Sequence, residues 1–133
     1  MDVLSFSTIA DNIKNEISKK SGLNLSQTRI LLYFDQNDNT ALKMGDLADN
    51  LKISLSTLSR QLQQKKTVSF ITVKRSERDS SKTVLLNETG LQKVVQLKRV
   101  LKEIEESLLR GISKQEVAVF NHIFSELVQR SEK

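Results

Sequence analysis

The sequence predicts a mainly α fold with one small β-hairpin, on three observations. Apolar residues recur at helical spacing through most of the 133 residues. The period changes in one region, at VSFITVKR and TVLLN, where β-branched and aromatic residues dominate. Proline is absent and glycine occurs four times, which suits long helices joined by few tight turns.

Each element follows from its own residues. Phe6, Ile9, Ile13 and Ile17 make one stripe over residues 2–20, a first helix that Gly22 ends. Ser26 stands at the N-cap position before QTRILLYFDQ, whose Ile30, Leu31 and Phe34 face inward. DQNDNT, at 35–40, is polar and turn-prone throughout and reads as a loop. MGDLADNL is a short helix with Leu47, Ala48 and Leu51 apolar, and KIS breaks the chain after it. ISLSTLSRQLQQKK (53–66) then reads as a helix capped by Ser54, with Leu55, Leu58 and Leu62 on its buried side.

In the first strand Ile71 and Val73 alternate with Thr72 and Lys74, and in the second Val84 and Leu86 share a side. SERDSSK between them is a charged, protruding tip. Helix resumes after Asn87, with Asn87 or Thr89 as cap. Val94, Leu97, Leu101, Ile104 and Leu108 then follow the 3-4 spacing of a seam packed lengthwise against another helix. Gly111 breaks that helix. Ser113 and Glu116 form a capping box for the last one, whose stripe is Val117, Phe120, Ile123, Phe124 and Leu127.

Short helix, break, helix and hairpin, in that order, make a winged helix-turn-helix. The predicted organisation is one compact domain. Residues 25–87 form the winged helix-turn-helix, and residues 1–24 and 88–133 form a helical dimerisation region. The apolar surface on the first, long and last helices exceeds what one small domain covers. Against the alternative that Val94 to Leu108 pack onto the chain's own core, it predicts a homodimer joined through Ile9, Ile13, Val94, Leu97, Leu101, Ile104, Leu108, Phe120 and Phe124.

The net charge of +5 has a location. Residues 43–86 hold nine bases against four acids, and the other 89 residues balance at twelve of each. No acid occurs in the 27 residues between Asp49 and Glu77. A cationic surplus confined to the helix-turn-helix and hairpin points to a polyanionic partner, double-stranded DNA in the first instance. Thr57, Arg60, Gln61 and Gln64, with Ser54 and Ser56 at the helix start, are the expected groove-facing set. Gln pairs with adenine, Arg with guanine, and hydroxyls with base or phosphate. Lys74, Arg75, Arg78 and Lys82 flank the tip and are placed to neutralise phosphates or enter the minor groove. The competing readings are a solvated helix face beside a lysine-protected edge hairpin, and an adaptor that binds an acidic protein.

Catalysis has no supporting constellation. His122 is the only histidine and cysteine is absent, so no metal site can be completed, and thiol redox chemistry and disulfides are excluded. His122 reads as a packed or interface residue beside Phe120, Ile123 and Phe124. Glu103, Glu105 and Glu106 read as a solvated face, and Gly22, Gly45, Gly90 and Gly111 are too scattered for a phosphate loop. No cofactor and no membrane span is expected. The N-terminus has no basic secretory region, which makes the cytoplasm the default location.

From Leu25 onward the chain resembles the MarR family of bacterial transcription regulators. LSQTRILLYF is similar to the family's second helix. LADNLKISLSTLSRQL resembles its helix-turn-helix, with Ser56, Thr57, Ser59 and Arg60 on the Ser-Thr-x-Thr-Arg core. FITVKRSERD resembles the approach to the wing, and VLLNETG the Leu-Thr-x-x-Gly exit from it. Departures are the Ser80-Ser81 that follows Asp79 where the family has Asp-x-Arg, Ser69 for a glycine, Lys65 for an apolar residue and Asn87 for threonine. The resemblance implies a homodimer on near-palindromic operators, commonly a repressor, released by a small aromatic effector or an oxidant. The cysteine-based oxidant route is closed here.

Overall fold

The computed structural model describes residues 1–79 and 81–132, so Ser80 of the hairpin tip and Lys133 lie outside the described residues. The order is α1 (Ser5–Ser21), α2 (Leu25–Gln36), β1 (Leu42–Lys43), α3 (Met44–Leu51), α4 (Leu55–Leu62), α5 (Lys65–Val68), β2 (Ile71–Arg75), β3 (Lys82–Leu86), α6 (Glu88–Leu108) and α7 (Lys114–Ser131). The chain divides into two compact units, Met1–Leu101 and Lys102–Lys133.

The core of the first unit is the apolar set read from the helical periods. Ile17, Leu23, Ile30, Leu31, Phe34, Leu47, Leu58 and Leu62 are buried, joined by Val84 and Leu86 of β3 and by Val94, Leu97 and Val100 of α6. Gly22 ends α1 in the left-handed conformation, φ 75°, as its spacing predicts. The cap of α2 is Asn24, not Ser26: its side chain accepts from the Gln27 backbone, and Gln27 returns the bond to the Asn24 N–H at 2.8 Å. Ser26 is already inside the helix. Helix α2 also runs through Asp35 and Gln36, which shortens the expected 35–40 loop. Asp35 is held there in part by Lys98 of α6, 2.6 Å away.

The hairpin has a third strand that sequence reading missed. The order is β1-β3-β2, antiparallel throughout, with Leu42 opposite Val84 and Ile71 opposite Leu86. A two-residue strand has no period to detect. Asn39 extends the same edge: its Oδ1 accepts from the Leu86 N–H at 2.8 Å and its Nδ2 donates to the Leu86 carbonyl at 3.0 Å. A loop asparagine thus completes the backbone pairing of β3, and it does so with φ 52°, a conformation asparagine tolerates.

Asn87 caps α6, its Oδ1 accepting from the Gly90 N–H at 2.8 Å, while its Nδ2 donates to the Ser69 carbonyl. Gly90 is obligatory for space. A Cβ there would lie 2.3 Å from the Phe70 carbonyl oxygen.

The predicted α6 seam divides on burial. Val94 and Leu97 are 2% and 0% exposed, covered by the chain's own fold, so they have no surface left for a partner. Ile104 is buried as well, Leu101 is half-buried, and Leu108 is 53% exposed. Val94 and Leu97 therefore serve as core of the first unit, together with Val100. In the second unit α7 carries the predicted capping box at Ser113 and Glu116, and no residue of the helix is buried. His122 is exposed beside Glu126 on its own helix, 3.5 Å away, rather than packed among the phenylalanines.

Candidate nucleic-acid interface

The helix-turn-helix is built from α3, a three-residue turn and α4. Lys52 ends α3 with φ 58°, and the Ile53 N–H bonds back to the Ala48 carbonyl at 3.0 Å, the double-ring stop that reverses the chain. Leu47, Ala48, Leu58 and Leu62 close the angle between the two helices. Asn50 Nδ2 donates to the Tyr33 hydroxyl at 2.7 Å and pins α3 to α2.

Helix α4 starts with a knot of polar side chains. Ser54 caps it by accepting from the Thr57 N–H, and its hydroxyl donates to Thr57 Oγ1 at 2.8 Å. Ser56 Oγ lies 3.1 Å from Ser54 Oγ, and Arg60 Nη2 donates to Thr57 Oγ1 at 3.4 Å. Four predicted residues are thus brought together, and the hydroxyls satisfy one another.

The outward side of α4 is rotated from the expected one. Leu55 is 54% exposed instead of buried with Leu58 and Leu62, because it is the first helical residue and projects before the turn that packs. Thr57 and Gln61 are half-buried, and Gln61 lines a small cavity of about 50 Å³ with Arg29, Ile30 and Ile53. The exposed residues of the helix and its caps are Ser54, Leu55, Ser56, Arg60 and the C-cap Gln63, which was not on the predicted face.

Gln64 does not continue α4. The helix stops at Leu62 because no apolar residue extends its buried row, and Gln64 stands just before the separate α5, which buries Thr67 instead. The Gln64 side chain accepts from Asn24 Nδ2 at 3.1 Å, and Lys66 Nζ donates to the Gly22 carbonyl at 2.8 Å. These two bonds tie the segment after α4 to the one after α1. Burial, and then the nearby Lys66 charge, lower Lys93 on α6 from its usual value. No acid occurs in α4 or α5.

In the hairpin Lys74, Arg75, Arg78 and Lys82 are all exposed, as expected. Arg75 and Lys82 are cross-strand partners, as are Lys74 and Thr83. At the tip Asp79 accepts from the Ser81 hydroxyl at 2.7 Å and from the Ser81 N–H at 3.1 Å. These bonds, with Ser76 and the Lys43 ammonium 3.9 Å away, hold its carboxyl down to about 2. Ser81, which stands where the resemblance leads one to expect arginine, therefore organises the tip from within.

A helix after a tight turn, followed by a three-stranded sheet and a long helix, is an arrangement with solved counterparts. Over 99% of this chain and 97% of the other, the structure superimposes on the DNA complex of MepR from S. aureus, TM-score 0.74 at 20% identity. The fold is that of the MarR regulators. A mutant MarR from E. coli complexed with operator DNA matches 96% of this chain and 99% of its own, TM-score 0.74 at 13% identity. The heme sensor PefR from Streptococcus agalactiae, in complex with heme, matches 97% and 93%, TM-score 0.70 at 20% identity. No protein-family model and no curated protein sequence matches the chain. Within this MarR-like fold, no described helix is long and apolar enough to cross a membrane, and no described cluster of His, Asp or Glu could hold a metal ion.

Proposed function

We propose that the chain is a sequence-specific transcription regulator that binds double-stranded DNA as a homodimer in the cytoplasm and performs no catalysis. The observation that supports this best is the distribution of charge over the reader and wing. Arg60, Lys74, Arg75, Arg78 and Lys82 are exposed, and no carboxylate stands on α4 or α5 to meet phosphate. In this reading residues 25–87 are the reader and residues 1–24 and 88–133 the dimerisation region.

Homodimerisation is supported by the apolar surface that remains after folding. Phe6 and Ile9 of α1, Leu108 of α6, and Val119, Phe120, Ile123, Phe124 and Val128 of α7 are all exposed. Phe120 and Phe124 stack at 5.4 Å on a helix with no buried residue. Such a helix is completed by a partner. Ile13 and Leu101 are half-buried, while Val94 and Leu97 are buried in the single chain.

Repression, with release by a small aromatic effector, is the regulatory mode we carry over. A structural neighbour, the heme sensor PefR, is solved in complex with heme, which supports a small-molecule ligand on this fold. The test of the whole reading is selection of binding sites from random duplex at physiological salt. Enrichment of a palindrome with half-sites about one helical turn apart supports a dimeric regulator. An absence of any enriched sequence favours the adaptor for an acidic protein.

A further inference from the structure

The residue at the start of α4 is chemically out of place on a polar surface. Leu55 is 54% exposed, directly after the cap residue Ser54, on the helix end that enters the groove in helix-turn-helix readers. The hydroxyls around it are turned on one another: Ser54 serves the Thr57 N–H and hydroxyl, and Thr57 accepts from both Ser54 and Arg60. The leading end of the helix therefore presents its polar groups already paired and a branched hydrocarbon projecting. Leu58 and Leu62, on the same sequence period, are buried, whereas Leu55, at the first helical position, is left uncovered by the fold.

In the major groove one base carries an apolar group on its edge, the C5-methyl of thymine. We infer that Leu55 is a specificity-determining residue that reads a thymine methyl in each half-site. The inference rests on the proposed DNA-binding function and adds to it a base and an atom. The hydroxyls at the helix start are engaged with one another. The exposed Arg60 and Gln63, on a different side of α4 and with donors beyond their bonds to Thr57 and Ser59, are placed for polar base edges.

The test uses the full-length protein and the duplex recovered by selection. Each thymine is replaced in turn by deoxyuridine, which removes the methyl and leaves pairing intact. The expected result is one thymine per half-site whose replacement weakens binding by about fourfold, the equivalent of one methyl group taken out of apolar contact. With Leu55→Ala the same replacement has no effect, and with Leu55→Met the effect persists. Leu55 is exposed, so both variants should melt like the parent, which is checked by circular dichroism. A selected sequence with a flat deoxyuridine scan, with no fixed thymine, or with equal losses in parent and Leu55→Ala overturns the inference alone. Failure to select any sequence overturns the DNA-binding reading and this inference with it.

Discussion

Arg75 and Lys82 face each other as cross-strand partners where the β2–β3 ladder meets the tip. Like charges in that relation oppose the hairpin, by about 0.2–1 kcal/mol. A fold selected for stability alone would place threonine or an acid at one of the two positions. Lys82→Thr should therefore raise stability by about 0.5 kcal/mol in a urea melt. It should also weaken binding to every duplex alike and reduce the salt slope by about one unit. Equal or lower stability in the variant, with unchanged salt dependence, would remove the functional account of this pair.

Asp79 gives the wing a fixed charge. Its pKa, near 2 against an ordinary 3.8, is lowered by hydrogen bonds to the charged form, so that form is favoured in the folded chain. The associated stability is fully present above the ordinary value and is lost as pH falls through about 2. Titration followed by carboxyl carbon NMR should place Asp79 below the ordinary aspartate value of 3.8. Ser81→Ala should raise it, because the largest of the lowering bonds is gone. An Asp79 that titrates at that ordinary value would mean that the tip is not organised by Ser81.

Gly90 sits where α6 passes the end of the wing. Gly90→Ala drives a methyl to 2.3 Å from the Phe70 carbonyl oxygen, and backbone atoms there cannot swing aside. A loss of about 1–3 kcal/mol is expected, the usual cost of overpacking. Alanine ordinarily favours helix over glycine, so a gain in the thermal melt would contradict the close approach.

Phe124 is exposed in the single chain, and Val94 and Leu97 are not. Phe124→Glu should leave the helix content and the monomer fold intact while shifting sedimentation from dimer to monomer. Truncation that removes Leu91 and all that follows, by contrast, takes Val94 and Leu97 out of the core and would confound assembly with folding. A Phe124→Glu protein that sediments as a dimer would move the interface elsewhere.

Much of this architecture was legible because burial leaves a period. The stripes of α2, α3 and α6, the caps at Ser54, Asn87 and Ser113, and the inward Val84 and Leu86 all follow from spacing and capping chemistry. What escaped reading depends on partners remote in sequence or on ends. Asn24 outcompetes Ser26 as a cap because Gln27 completes its box, and Asn39 becomes a strand partner through Leu86, 47 residues away. Leu55 fits the heptad-like spacing of Leu58 and Leu62, yet a period does not know that the helix begins at that residue. The end of α4 at Leu62 turned Gln64 into a clasp and left Gln63 on the open surface.

The central claim is that the side of α4 bearing Arg60 reads bases. It is tested most directly by titrating parent and Arg60→Ala protein against the selected duplex and an unrelated one, at several salt concentrations. A base-reading Arg60 predicts a loss of about 1–3 kcal/mol on the selected duplex and little change on the other. Binding that is unaltered on both would contradict the account.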